Sequence, residues 1–427
     1  MSTAPAPAPI VRHLSNGVTV ICDPLPGFET LALSVVAGRG ARQEGLARAG
    51  WSHLLEHMVF KGAGDRSAKA IVEDIESAGG QINADTGHER TSFQARTLAG
   101  GLPLALRIIA DLVRRPHLDV DDLAREKRVV AQEIAEAADT PDDLVFELAQ
   151  AAAFADQPLG RPILGTRESL APADPASLEA WRATLYAPDR LVISAAGAVD
   201  VDALHELAAA AFGDAPTLPS PPFAPAVFTG GAAAANRRLE QAHLVFLLPG
   251  PALGVPDYWP ARLHAEMLGG GMSSRLFQEA REKLGLAYAI DAYAEAYADI
   301  GAIGVYAGCA AGDAVSLARV VADQISALAD GGEADELARA KTQLKASLFM
   351  GRESLSARAE QAAGQWLAFG RLLSPGEIAT AIDGVGREDV ARFGAALARD
   401  GRSAVAALGS KAAGRAAAAF TERLAGG

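Results

Sequence analysis

Two histidines four residues apart, with a glutamate just before the second, carry the most pointed chemistry in this sequence: His53-Leu54-Leu55-Glu56-His57. On a helix, residues four apart project from one face, so both imidazoles can chelate a single ion. Zinc in a catalytic site takes three protein ligands and leaves one position for water, whose pKa falls towards neutrality under the metal's charge. A carboxylate beside that position can remove the water's proton, and Glu56 is placed for that role. A third ligand has to come from elsewhere in the chain. The motif alone also admits a plainer reading, two histidines on a half-buried helix face.

The elements that must position these residues can be read from apolar periodicity and turn residues. Residues 50–60 read as the helix that carries the motif. Before it, 10–14 and 18–22 flank Asn16-Gly17, a dipeptide that tolerates positive φ and favours a tight hairpin, and 31–36 reads as a buried strand. After it, 67–78 places Ile71, Val72 and Ile75 on one helical face and stops at Gly79-Gly80, where glycine can take a left-handed cap. Strands are expected near 81–84 and 91–96, helices at 102–113, 121–138, 142–154 and 177–186, and a strand at 190–196.

Five prolines (Pro216, Pro219, Pro221, Pro222, Pro225) and Gly230-Gly231 then interrupt the pattern, a composition that suits an extended linker. The second half of the chain repeats the pattern of the first. The strand at 242–248 stands where 31–36 stood, and His264 stands where His53 stood, an offset of 264 − 53 = 211. Trp181 and Gly197 match Phe393 and Gly409 at an offset of 212. A near-constant offset over this length predicts a duplicated α+β domain. The expected division is a disordered tail 1–9, a first domain 10–213, a linker 214–235 and a second domain 236–427. At offset 211, Glu56 and His57 become Met267 and Leu268, so the second domain keeps the helix without the ligand set.

Composition narrows the function classes. The 427 residues suit two domains, and half of them are apolar with 21% charged, the balance of a globular protein. A net charge of −13 without any basic block argues against nucleic acid and anionic membrane surfaces as partners. Cys22 and Cys309 lack CxxC spacing and read as reduced, buried thiols. The opening Met1-Ser2-Thr3-Ala4-Pro5 has no basic n-region, and the chain has no apolar stretch of membrane-spanning length, so a cytoplasmic protein is expected. The histidines at 13, 88, 117, 205, 243 and 264 lack ligand spacing.

The run His53 to Gly62, His-Leu-Leu-Glu-His-Met-Val-Phe-Lys-Gly, resembles the zinc motif of the pitrilysin and insulinase family, above all the mitochondrial processing peptidase type and its bacterial homologues. The resemblance implies two homologous α/β-sandwich domains forming one half of a clamshell. It also implies a third zinc ligand in a Val-x-x-Glu-Ile context, which here is Glu133 in Val130-Ala131-Gln132-Glu133-Ile134. Glu126, seven residues earlier and so on the same helical face, matches a supporting carboxylate that orients a ligand histidine. Apart from the family, Glu126 and Glu133 would read better as a solvated helix face. Asn83 and Ala84, in Gly79-Gly80-Gln81-Ile82-Asn83-Ala84, match the family's edge strand on which substrate is laid, and Phe60 matches an apolar residue bordering the cleaved bond, though it equally suits core packing.

In the second domain, Arg281 and Tyr288 match an arginine and a tyrosine that reach over the zinc in relatives, Tyr288 donating to the oxyanion and Arg281 holding the substrate main chain. A Gly-rich turn at Gly269-Gly270-Gly271 precedes them, without the Lys-Ser/Thr of a phosphate loop. The resemblance runs from about residue 10 to about residue 420. It implies a zinc metalloendopeptidase with one Zn2+ per chain, hydrolysing extended or unfolded peptides with Glu56 as general base. Because larger family members fuse two such halves, it also implies a dimer. A homodimer is the simplest form, with a heterodimer with a zinc-less homologue as the alternative. The competing reading is an inactive structural or assembly homologue, of the kind respiratory-complex core subunits resemble.

Overall fold

The computed structural model describes residues 8–217, 224–411 and 413–426; most of the expected tail and the proline-rich centre of the linker, 218–223, lie outside them. Two sheets organise the chain. In the first, the strand order is Ile10–His13, Thr19–Pro24, Leu191–Gly197, Thr30–Ala37, Thr91–Leu98, Gln81–Thr86. The strand Thr30–Ala37 is buried along nearly its whole length, and its mostly apolar run, broken only by the buried Ser34, reflects a sheet covered on both faces. It pairs antiparallel with Leu191–Gly197 and with Thr91–Leu98. The hairpin turn expected at Asn16-Gly17 joins the first two strands, with Gly17 at φ 97°.

The second sheet runs Ala287–Ala296, Gly301–Ala310, Gln241–Gly250, Ala404–Gly409, Gly231–Asn236. Read from its other end, this order matches that of the first sheet without its outermost hairpin strand. In both sheets the late strand of the unit, Leu191–Gly197 or Ala404–Gly409, runs parallel to one neighbour and antiparallel to the central strand. The duplication read from the offsets is therefore present strand by strand. One departure concerns the linker: its last residues form the edge strand Gly231–Asn236. An alanine-rich stretch after two glycines carries little strand propensity of its own, and pairing with Ala404–Gly409 decides its structure.

The compact units are also not the contiguous stretches 10–213 and 236–427. Residues 135–161 group with the second sheet and residues 349–374 with the first. The helix Leu355–Phe369 packs Ala362, Ala363, Trp366 and Leu367 on Ile21, Val36 and Val192, the sheet face opposite the first core. Arg358 on that helix donates through Nε to Asp23 Oδ2 at 2.8 Å. In the second unit, Pro141–Ala153 does the corresponding job, burying Val145, Ala149 and Ala153 on Val245, Leu247, Ala404 and Ala406. Each sheet is thus closed on one face by a helix from the other half of the sequence.

Candidate metal centre

The motif helix, Trp51–Val59, points Leu54, Leu55, Met58 and Val59 into the first core and leaves His53, Glu56 and His57 half-buried on its other side. Its start is fixed tightly. Gly50 adopts φ 88°, and a Cβ there would meet Leu164 O at 2.4 Å, so only glycine fits. The buried carboxylate of Glu44 accepts from Gly50 N at 2.7 Å and from Ser52 N at 2.6 Å, placing negative charge at the positive end of the helix. Trp51 Nε1 donates to Ser169 O at 2.9 Å and Trp181 Nε1 to Ser52 Oγ at 3.2 Å, which fixes the helix rotation.

The long helix Val120–Asp139 brings the two glutamates to this face. Asp119 caps its start, accepting from Asp121 N at 2.8 Å, and Leu123, Glu126 and Val130 form its buried stripe. Glu133 Oε2 lies 3.5 Å from His57 Nε2 and 3.9 Å from His53 Nε2. Ligand atoms about 2.1 Å from a tetrahedral zinc stand about 3.4 Å apart, so Glu133 already stands at almost the required spacing from both histidines. Glu133 Oε2 is buried and finds no hydrogen-bond partner among the described residues, a condition that a shared cation would relieve. His53, His57 and Glu133 are also the one group among the described residues whose donor atoms could hold a metal together. Two imidazoles and a carboxylate are a zinc-type set.

Glu126 Oε2 is 3.1 Å from His57 Nδ1, and Lys61 Nζ is 2.9 Å from Glu126 Oε1. The buried Glu126 thereby fixes the His57 ring with Nε2 facing Glu133, and Lys61 balances its charge. Burial, reinforced by the neighbouring His57, pushes the His53 pKa down to about 4, so this imidazole is neutral and free to ligate at neutral pH. Burial lifts the Glu56 pKa above the ordinary carboxylate value, and the Thr86 hydroxyl, donating to Glu56 Oε2 at 2.5 Å, opposes that shift.

Thr86 ends the strand Gln81–Thr86, which pairs with Thr91–Leu98 on one side and forms the edge of the sheet on the other. Asn83 is exposed on this strand and Ala84 is buried against the core. The strand is two residues longer than the stretch 81–84 expected from the sequence, and those two residues bring Thr86 to Glu56. Thr86 and Lys61 are the site residues that sequence reading missed. Continuing the alternation from Ile82 and Ala84 on one face to Thr86 is the signal that could have found the first. Phe60, the C-cap of the motif helix, is half-buried and packs on the first core.

The remaining expected residues belong to the second unit. Arg281 sits in a π-helical stretch, Phe277–Lys283, with its guanidinium carbon 4.6 Å from the Phe277 ring centre and 5.9 Å from that of Tyr288. Tyr288 is 74% exposed near the start of the edge strand Ala287–Ala296. The structure thus sets Arg281 and Tyr288 side by side on an open surface. Where the repeat places the ligand set, His264 and Leu268 are fully buried and Met267 is nearly so: that helix, Tyr258–Gly269, has turned these positions into core.

Comparison with known proteins gives two matches to family models, "Insulinase (Peptidase family M16)" over residues 20–167 and "Peptidase M16 inactive domain" over residues 172–344. An "uncharacterized zinc protease" of Rickettsia felis is 36% identical over 381 residues, covering 89% of this chain and 92% of the relative. One of Mycobacterium tuberculosis is 36% identical over 375 residues, 86% of each chain. Among solved structures, a protease from Helicobacter pylori superimposes with a TM-score of 0.87 at 21% identity, covering 95% of this chain and 100% of that one. That similarity establishes the fold. Among the described residues, no helix is long and apolar enough to cross a membrane.

Proposed function

Since this chain belongs to the insulinase family of M16 peptidases, we propose that it is a zinc-dependent endopeptidase that hydrolyses extended or unfolded peptides, with one zinc per chain held by His53, His57 and Glu133. The observation that carries the reading is the convergence of His53 Nε2, His57 Nε2 and Glu133 Oε2, which no described residue hydrogen-bonds, within electrostatic reach of the Glu56 carboxylate. Zinc in this set supplies a Lewis acid that polarises the scissile carbonyl and acidifies a water.

Glu56 takes the proton from the attacking water at one carboxylate oxygen and delivers it to the leaving amine. Its burial suits the task, because a carboxylate whose pKa is raised is a stronger base for that proton. Glu126 and Lys61 keep the His57 ring from turning. The free edge of Gln81–Thr86 offers main-chain N–H and C=O groups to an added peptide strand, a mode that binds peptides with little regard for sequence. The family resemblance adds Arg281 and Tyr288 as contributors to the main chain and oxyanion of a peptide held on the zinc set of a second copy, which makes the working unit a homodimer.

The deciding comparison is wild type against Glu56→Gln on quenched fluorescent peptides of about ten to thirty residues, each protein assayed for zinc. Both are expected to bind about one zinc per chain, and Glu56→Gln to lose cleavage by at least about a thousandfold. A wild type that binds zinc and cleaves nothing would favour the structural-homologue reading. The dimer is tested by mixing inactive Glu56→Gln with inactive Tyr288→Phe. Shared sites should restore about a quarter of wild-type activity, since half the dimers formed are mixed and each has one intact composite site. No recovery despite exchange of chains would place the pair and the zinc set of one site in the same chain or in separate roles.

A further inference from the structure

A cleft of about 800 Å³ opens at the end of the edge strand far from Glu56, between that strand and the helix Ala68–Ser77. On the face that carries Ile82, the helix side of its wall is Ile75, which is buried, Val72, which is 44% exposed, and Glu76; Leu98, 55% exposed, lines the cleft from the opposite face of the neighbouring strand, together with Gln94 and Arg96. The glycine pair after the helix makes the cleft. Gly79 turns at φ 68°, and a Cβ on Gly80 would meet both Ile75 O and Arg96 O at 2.9 Å, so two glycines are required to bring the helix end so close to the strand.

Val72 leaves apolar surface exposed beside a free strand edge, where a bound peptide can cover it. An added strand does so, because its side chains alternate between the two faces of the sheet and every second one falls on the face of Ile82, Ala84 and Thr86. Thr86 contacts Glu56, and Ile82 lies four residues, about 13 Å, back along the strand. We propose that this cleft is a distal subsite that takes an apolar side chain of the bound peptide roughly four residues from the cleaved bond, so that the enzyme reads one side chain well away from its chemistry. The inference rests on the peptidase reading above and on substrate lying along this edge.

The experiment uses the full-length zinc-loaded protein and twelve-residue quenched peptides in which leucine or lysine is placed at each position three to five residues from the cleaved bond, on either side. Wild type should prefer leucine over lysine at one of these positions by about tenfold in kcat/KM. Val72→Glu changes an exposed helix position, and it should abolish or invert that preference there and nowhere else. Equal leucine-to-lysine ratios in the two proteins, or a wild type indifferent at every scanned position, would overturn the subsite while leaving the peptidase intact. A wild type that cleaves none of the peptides would remove the reading beneath it as well.

Discussion

In the proposed mechanism Glu56 has to accept a proton and release it without turning away from the ligand set, and the Thr86 hydroxyl steadies its carboxylate at 2.5 Å. Thr86→Val keeps the shape and removes the donor. A hydrogen bond to a charged group contributes about 1.5–3 kcal/mol, so kcat should fall about ten- to a hundredfold with KM and zinc content nearly unchanged. Thr86→Ser should restore most of it, and a valine variant as fast as wild type would show the hydroxyl to be idle. The residue scale is also where the sequence is most readable. His53, Glu56 and His57 announce themselves because helical periodicity alone puts them together. Glu133 and Glu126 do so only through family resemblance, because charged residues two turns apart on an acidic helix are common. Thr86 and Lys61 carry no such mark, since their partners are set by where a strand ends and where a helix packs.

The motif helix and its counterpart Tyr258–Gly269 show how one element serves two ends. In the first, Glu44 and Gly50 fix the start and leave the histidines facing out; in the second, His264 faces in and neither ring nitrogen has a hydrogen-bond partner among the described residues. Burial, assisted by Arg275, pushes the His264 pKa down to about 4. A base with a folded pKa below its unfolded value of about 6.5 binds fewer protons when folded. Its stability contribution is therefore complete above pH 6.5 and is lost as pH falls towards 4. His53 and His88, both also near 4, titrate in the same window, so the informative quantity is a difference. Between pH 7 and pH 5 in urea melts, wild type should lose about 2 kcal/mol more than His264→Leu. Parallel losses would mean that His264 is not held neutral. The end of an element of this kind was legible from its turn: Gly79, at φ 68°, stops Ala68–Ser77 as the sequence suggests. The strand Gly231–Asn236 was not, because alanines leave strand formation to the partner.

At the scale of the whole molecule, local pattern reading meets its limit. The repeat was visible because two copies of one pattern sit at a fixed offset, but which helix closes which sheet is decided by contacts far apart in sequence. Helix Leu355–Phe369 is apolar on one side, as any helix packed in its own half would be, and nothing in its periodicity names Ile21, Val36 and Val192 as its partners. The consequence is testable by cutting the chain where the sequence invites it. A fragment of residues 1–220 contains the full zinc set yet lacks the helix that covers one face of its sheet. It would expose Val36, Val192 and Ile21 and leave Asp23, buried beside Arg358, without its cation. Each such apolar side chain costs about 1.5–3 kcal/mol to leave exposed, and removing one partner of a buried pair about 3–5 kcal/mol, together comparable with the stability of a whole domain. The fragment alone should therefore bind an apolar dye, melt without cooperativity and hold little zinc. Refolded together with residues 221–427, it should recover cooperative melting and about one zinc per pair of fragments, because the covering helix is supplied again. A fragment that folds and binds zinc unaided would show that the first sheet closes without Leu355–Phe369, and that the exchange of helices serves something other than stability.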